Sequence, residues 1–196
     1  TCSRPGTPSS PVEALDFILK SKPRPIDVGR LNDGLFLNMC GTGFDVCVLD
    51  YALKAKKYVR GLAPYLYGVI RTIFSFKPLR ITLSIEGITI ISKPMLVCSV
   101  GNGKYCGGGI KLSPHAEPDD GLLDIVIVEN VSRGRMIRLL PGLLRGDILD
   151  FPETRHLRCK RATLSAEGMR LNADGEILPM PRADFEALSG RIKMYW

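Results

Sequence analysis

Residues 79–100 read LRITLSIEGITIISKPMLVCSV, and their pattern decides the fold. Leu79 to Ile85 alternates side chains, as an extended chain with two unlike faces requires. Glu86-Gly87 interrupts the run and Ile88 to Ser92 returns along it, so the two pieces form a hairpin. Met95 to Val100 is apolar except at Ser99, which marks a central strand covered on both faces.

The same signals continue on both sides. Upstream, Ile26 to Leu31 and Leu35 to Cys40 read as strands flanking the turn Asn32-Asp33-Gly34, and Gly41-Thr42-Gly43 ends the second. Downstream, Leu122 to Val128, Leu157 to Ala166, Met169 to Ala173, Glu176 to Leu178, Phe185 to Leu188 and Arg191 to Trp196 extend the series. Strands that follow one another through short turns pair antiparallel. The expected class is therefore mainly β with a few helices, an α+β domain with a largely antiparallel sheet.

Helical periodicity appears in few places. Val12 to Leu19 forms a short helix capped by Ser10, with Pro11 at its first position. Asp45 to Lys57 places Val48, Leu49, Ala52 and Ala55 on one face. Leu62 to Phe76 carries an apolar stripe of Leu66, Val69, Ile70, Ile73 and Phe74. That stripe suits a core-facing helix, or one that meets a membrane surface. Ser132 to Arg145 is a basic helix in which Pro141 is expected to kink or end the run, and Arg135 and Arg138 share a face.

The chain has 196 residues, 45% hydrophobic and 24% charged, as expected of one folded domain rather than a disordered chain. Residues 1–26, rich in Pro, Ser and Arg, read as a linker or the remnant of a preceding domain, and 27–196 as the β-rich domain. A net charge of +7 favours anionic partners such as phosphorylated ligands or acidic lipid surfaces. No aromatic and basic platform of the kind single strands require accompanies the charge, so no nucleic-acid partner is expected. The six cysteines form no CxxC pair and only two histidines are present, which argues against structural zinc. Cys47 and Cys98 read as buried thiols in a reducing, cytoplasmic compartment. The sequence contains neither a long apolar run nor the apolar core of a signal peptide.

Three segments carry chemically useful groups. Asn102, inside Gly101-Asn102-Gly103, and the triplet Gly107-Gly108-Gly109 follow the central strand. Such a loop lets a backbone approach a ligand and turn its amides toward an anion, or is simply flexible. Glu117, Asp120 and Leu122 sit in Glu117-Pro118-Asp119-Asp120-Gly121-Leu122, which serves either as a plain Asp-Gly turn or as an oxygen-rich cation site. Asp174 and Glu176 flank Gly175 in Leu171-Asn172-Ala173-Asp174-Gly175-Glu176. This is a two-residue hairpin turn, and it also sets two carboxylates at a sheet rim. One of them can accept a proton from an alcohol and the other can help hold magnesium.

The order and spacing of these segments resemble one family. Gly41-Thr42-Gly43-Phe44-Asp45, Asn102 with the glycine triplet, Pro114, Ala116, Asp120-Gly121-Leu122 and Asp174-Gly175-Glu176 are similar to the C-terminal domain of bacterial diacylglycerol and related lipid kinases, from about Asp27 to the end. The resemblance implies a β-sandwich-like acceptor domain facing an ATP-binding domain across a cleft. It implies Glu176 or Asp174 as general base, and Asn102 with Gly107, Gly108 and Gly109 on the substrate side. It also implies a magnesium ion held by Asp120 and by the backbone oxygens of Glu117 and Leu122. ATP is the implied phosphate donor, and the substrate a lipid alcohol in phospholipid metabolism. Diacylglycerol, a sphingoid base, phosphatidylglycerol and an undecaprenol-like alcohol all present the required hydroxyl.

The implied setting is cytoplasmic and peripheral at the inner membrane surface, with the nucleotide-binding domain as partner and a homodimer left open. The family's Gly-Gly-Asp-Gly-Thr motif does not occur in these residues, so the chain by itself is expected to be inactive. A non-catalytic lipid- or membrane-surface-binding module is the alternative.

Overall fold

The strand Ile88–Gly101 (β5) is the spine of the sheet, and its pairings explain the architecture. A computed structural model describes residues 10–58, 63–106 and 110–195. The chain runs through a helix Pro11–Lys20 (α1), strands Arg24–Leu31 (β1), Gly34–Phe36 (β2) and Met39–Gly43 (β3), and helices Phe44–Ala55 (α2) and Ala63–Ser75 (α3). Leu79–Ile85 (β4) leads into β5, followed by Leu123–Glu129 (β6) and the helix Arg133–Arg145 (α4). Thr154–Cys159 (β7), Arg161–Ser165 (β8), Arg170–Ala173 (β9), Glu176–Pro179 (β10) and Arg182–Met194 (β11) complete the sheet.

Every strand pairing is antiparallel. The first half of β5 pairs with β4, and its second half pairs with β3 and β6. Two layers therefore share one strand: β2-β1-β11-β8-β4 on one side, β10-β9-β3 with β6 and β7 on the other. They close on a common core in which Ile81, Leu83 and Leu164 of the first meet Leu123, Ile125, Ile127 and Leu171 of the second. Each such fully buried side chain contributes roughly 1.5–3 kcal/mol by leaving water. The expected α+β, β-sandwich-like class is what forms. A second cluster, including Met39, Leu96, Val126 and Met136, seats α4 on the second layer, and Val48, Val69 and Ile73 join α2 to α3.

The differences from the sequence reading have local causes. Lys93-Pro94 does not split β5, because among the described residues Pro94 pairs with β4 alone and pairing with β6 starts at Met95. A missing amide proton costs nothing at such an edge. The run Leu157 to Ala166 is two strands, since β7 pairs with β6 whereas β8 pairs with β4 and β11. The chain changes layers at Lys160, whose carbonyl accepts the Ala187 N–H at 2.8 Å. Phe185 to Leu188 and Arg191 to Met194 merge into β11 through an irregularity opposite Asp27, with Gly190 at φ +61°, and Trp196 lies outside the described residues. The sheet begins at Arg24, inside the stretch read as linker.

Pro141 lies within α4, which continues to Arg145 and closes on Gly146 in the left-handed conformation. Arg135 does not share an open basic face with Arg138, because Glu153 accepts its Nε–H at 2.7 Å and its Nη2–H at 3.1 Å. Cys98 is buried as expected, but Cys47 is only partly so. The stripe on α3 divides: Val69 and Ile73 face the core, whereas Leu66 (57%), Ile70 (49%) and Phe74 (62%) are exposed. Among the described residues, no helix is long and apolar enough to cross a membrane.

Candidate active site

Asp174 and Gly175 form the two-residue loop between β9 and β10, with φ of +46° and +101°. Two consecutive positive φ values define the mirror-image turn that matches strand twist, and an Asp-Gly pair adopts it at low cost. The turn is capped from within, as Asn172 Oδ1 accepts the Gly175 N–H at 2.9 Å.

Asp174 does more than turn the chain. Its carboxylate accepts the backbone N–H groups of Leu37 at 2.6 Å, Asn38 at 3.1 Å and Met39 at 2.8 Å. These amides lie at the junction of β2 and β3, two between the strands and one on the first residue of β3, and their capture is why the expected strand Leu35 to Cys40 is interrupted at Leu37-Asn38. Asn38 then links the turn to the loop after β5: its carbonyl accepts the Asn102 N–H at 2.8 Å, and its Nδ2–H donates to the Tyr105 carbonyl at 2.9 Å. The acidic hairpin and the loop after β5 thus meet at one end of the sheet. Gly107, Gly108 and Gly109 lie outside the described residues.

Glu176 opens β10, and among the described residues its exposed carboxylate has no hydrogen-bond or ion-pair partner. Asn102 is placed differently from a surface contact. It is 1% exposed, and its amide donates to the carbonyls of Asp27 at 2.9 Å and Leu37 at 3.2 Å. It holds the loop in position from beneath.

Sequence reasoning assigned no role to four further residues: Asn38, Asn172, Asp27 and Asp45. Asp27 is 2% exposed and accepts the Gly121 N–H at 2.6 Å and the Gly190 N–H at 2.8 Å. Asp45 lies over Gly41, where a Cβ would come within 2.5 Å of its Oδ2. Gly43, at φ +107°, lies equally close against the Leu96 carbonyl, so the Gly-Thr-Gly-Phe-Asp run is set by these two approaches. Both Asp45 and Asn172 stood inside quoted motifs, where a short polar side chain next to a glycine turn was the available signal.

Burial pushes the Asp45 carboxyl from 3.8 up to about 6, against the Val46 N–H and the Asn172 amide, which favour the charged form. Its Oδ1 is buried without a hydrogen-bond partner among the described residues. The folded state therefore binds the proton more readily than the unfolded one. Stability from this group increases as pH falls through about 6 and is complete below 3.8. Asp45→Asn is expected to be more stable than the wild type by about 1–2 kcal/mol well above that range, with the gap closing on acidification. Parallel denaturant titrations across pH check this, and a gap that stays constant with pH refutes it.

Of the groups implied to hold a cation at Glu117, Asp120 and Leu122, the Asp120 carboxylate is already engaged within the chain. Asp120 Oδ1 accepts the Leu122 N–H at 2.9 Å, and its Oδ2 is paired with the Arg158 guanidinium. The Pro118 carbonyl is taken by the Asp27 N–H at 2.6 Å. Among the described residues, no three His, Cys, Asp or Glu side chains are grouped to hold a metal ion.

A two-layer antiparallel sheet with an acidic hairpin anchored beside the loop after β5 defines a β-sandwich-like domain. The family model described as the YegS C-terminal NAD kinase beta sandwich-like domain matches residues 38–195, and the chain belongs to that family. A diacylglycerol kinase of Mycobacterium tuberculosis is 29% identical over 191 residues, 94% of this chain and 61% of that protein. A protein named "Probable lipid kinase YegS-like" of Pseudomonas putida is 32% identical over 193 residues, 97% of this chain and 62% of that protein. A solved diacylglycerol kinase structure from Bacillus anthracis shares the fold with a TM-score of 0.67 at 20% identity, covering 97% of this chain and 60% of that one. The chain thus spans less than two thirds of the length of these relatives.

Proposed function

We propose that this domain supplies the acceptor side of an ATP-dependent lipid kinase, with Glu176 as general base. The observation that carries this is the division of labour on one hairpin. Asp174 commits its carboxylate to three backbone amides, whereas the Glu176 carboxylate at the rim has no internal partner among the described residues. Asp174 is then a positioning residue that locks the turn to the loop after β5.

Phosphoryl transfer depends mostly on positioning and charge neutralisation. The lipid hydroxyl oxygen attacks the γ-phosphorus in line, the bond to the β–γ bridging oxygen breaks, and ADP leaves. Glu176 takes the hydroxyl proton as the new P–O bond forms. A separate nucleotide-binding domain would bring the nucleotide, and a magnesium ion bound with it would supply charge neutralisation at the phosphates. The test is to join such a domain and follow phosphate transfer from ATP to diacylglycerol in vesicles.

The outward face of α3 favours peripheral membrane contact as part of the same function. Leu66, Tyr67, Ile70 and Phe74 form a continuous exposed arc, with Arg71 and Lys54 beside it over the Tyr51 ring. Apolar side chains flanked by cations suit the headgroup boundary of an anionic bilayer. Replacing Ile70 and Phe74 together with Asp is expected to reduce sedimentation with anionic vesicles by about tenfold or more. Unchanged binding would remove α3 from the contact. Salt-sensitive binding that persists without both hairpin carboxylates, in a joined protein with no transfer activity, would favour the non-catalytic module.

A further inference from the structure

We infer that Arg158 supplies in cis the positive charge for which the turn before β6 would otherwise recruit a divalent cation, so that this domain holds that turn without metal. Three observations converge on the guanidinium. Arg158, on β7, pairs through Nη2 with Asp120 Oδ2. Its Nε lies 3.7 Å from Oδ1 of Asp124, the residue on β6 that stands opposite Arg158 in the ladder. The Asp124 side chain is 1% exposed, and its other partner is His156 at 2.6 Å.

Two carboxylates converging at the start of a strand require a counter-charge when one of them is buried. A hydrated magnesium ion meets that need with oxygen ligands and well-ordered waters. A guanidinium meets it with several N–H donors in a fixed fork and cannot be deprotonated. Both cannot occupy the space in front of Asp120 Oδ2, because Oδ1 of the same carboxylate already accepts the Leu122 N–H. The strand pairing that sets Arg158 opposite Asp124 therefore fixes the choice, since the cation is covalently part of β7.

The arrangement also explains how the turn reaches the rest of the domain. Gly121, next to Asp120, donates its N–H to the Asp27 carboxylate, and the Asp27 backbone carbonyl accepts the Asn102 side-chain N–H. A fixed charge on β7 thus steadies the same network that positions the loop after β5. Metal exchange is no longer a variable in it.

Thermal unfolding of the 196-residue chain in millimolar magnesium and in chelator tests the inference. The wild type is expected to melt at the same temperature in both. Arg158→Ala is expected to lose about 2–4 °C in chelator and to regain much of that loss with magnesium, since it opens the place between the two carboxylates. Arg158→Lys, which keeps a charge, is expected to show little magnesium response. A saturable rise in wild-type melting temperature with magnesium, abolished by Asp120→Asn, would overturn the inference. So would an Arg158→Ala protein that melts with the wild type in chelator. Should Arg158→Ala fail to fold, the wild-type and Asp120→Asn titrations still decide.

Discussion

Replacing Glu176 with Gln is expected to slow phosphate transfer to a lipid alcohol by roughly 10²–10⁴-fold once a nucleotide-binding domain is joined to this chain. The substitution keeps the shape and the hydrogen-bonding capacity of the side chain and removes its ability to accept a proton. The residue is exposed and has no partner among the described residues, so its loss should leave stability within about 0.5 kcal/mol. A fall in kcat without a change in melting temperature is the signature of a group that acts in the transition state. Asp174→Asn should behave otherwise. An amide cannot serve three converging N–H donors as a carboxylate does, so that variant should lose stability by about 1–2 kcal/mol together with activity. If Glu176→Gln retains wild-type rates while Asp174→Asn abolishes transfer without destabilising the fold, the roles are reversed and the proposed assignment is wrong.

The two carboxylates could not be told apart from spacing, because both alternatives share one sequence. Asp-Gly is a turn signal wherever it occurs, and a turn always brings its flanking residues to a rim. What separates Asp174 from Glu176 is the location of Leu37, Asn38 and Met39, well over a hundred positions away in sequence. The same limit explains the rest. Alternation and turn residues are local, so the hairpin of β4 and β5, the antiparallel sheet and the helices at α2 and α3 were legible. Which neighbour a strand takes is not local, so Leu157 to Ala166 read as one strand although the chain changes layers at Lys160. The α3 stripe shows a finer version. Periodicity identified the apolar residues, but only the packing of Val48 against Val69 and Ile73 decides which part of the face stays outside. Asp27 carried no signal at all, since a single aspartate early in a strand reads as polar surface.

That aspartate is expected to be among the most sensitive positions for stability. Asp27→Ala should cost about 3 kcal/mol, which for a domain of this size lowers the melting temperature by roughly 6–12 °C. The carboxylate is 2% exposed and accepts N–H groups from two separate segments, Gly121 at 2.6 Å and Gly190 at 2.8 Å. Truncation leaves both donors without an acceptor, each costing about 1–3 kcal/mol, while releasing the residue from burying a charge recovers part of the loss. Asn is only a partial substitute, because its oxygen can satisfy one donor while its NH2 group faces the other. The damage should also have a distinct location. Gly190 lies in the irregularity where β11 shifts register between Ile26 and Val28, and Gly121 lies in the turn before β6. Hydrogen exchange should therefore speed up at those two amides in Asp27→Ala while the paired centre of β5 and β6 stays protected. A variant that unfolds within about 0.5 kcal/mol of the wild type, or one that loses protection uniformly, would show that Asp27 does not join these segments and that the register of β1 on β11 is held by side-chain packing alone.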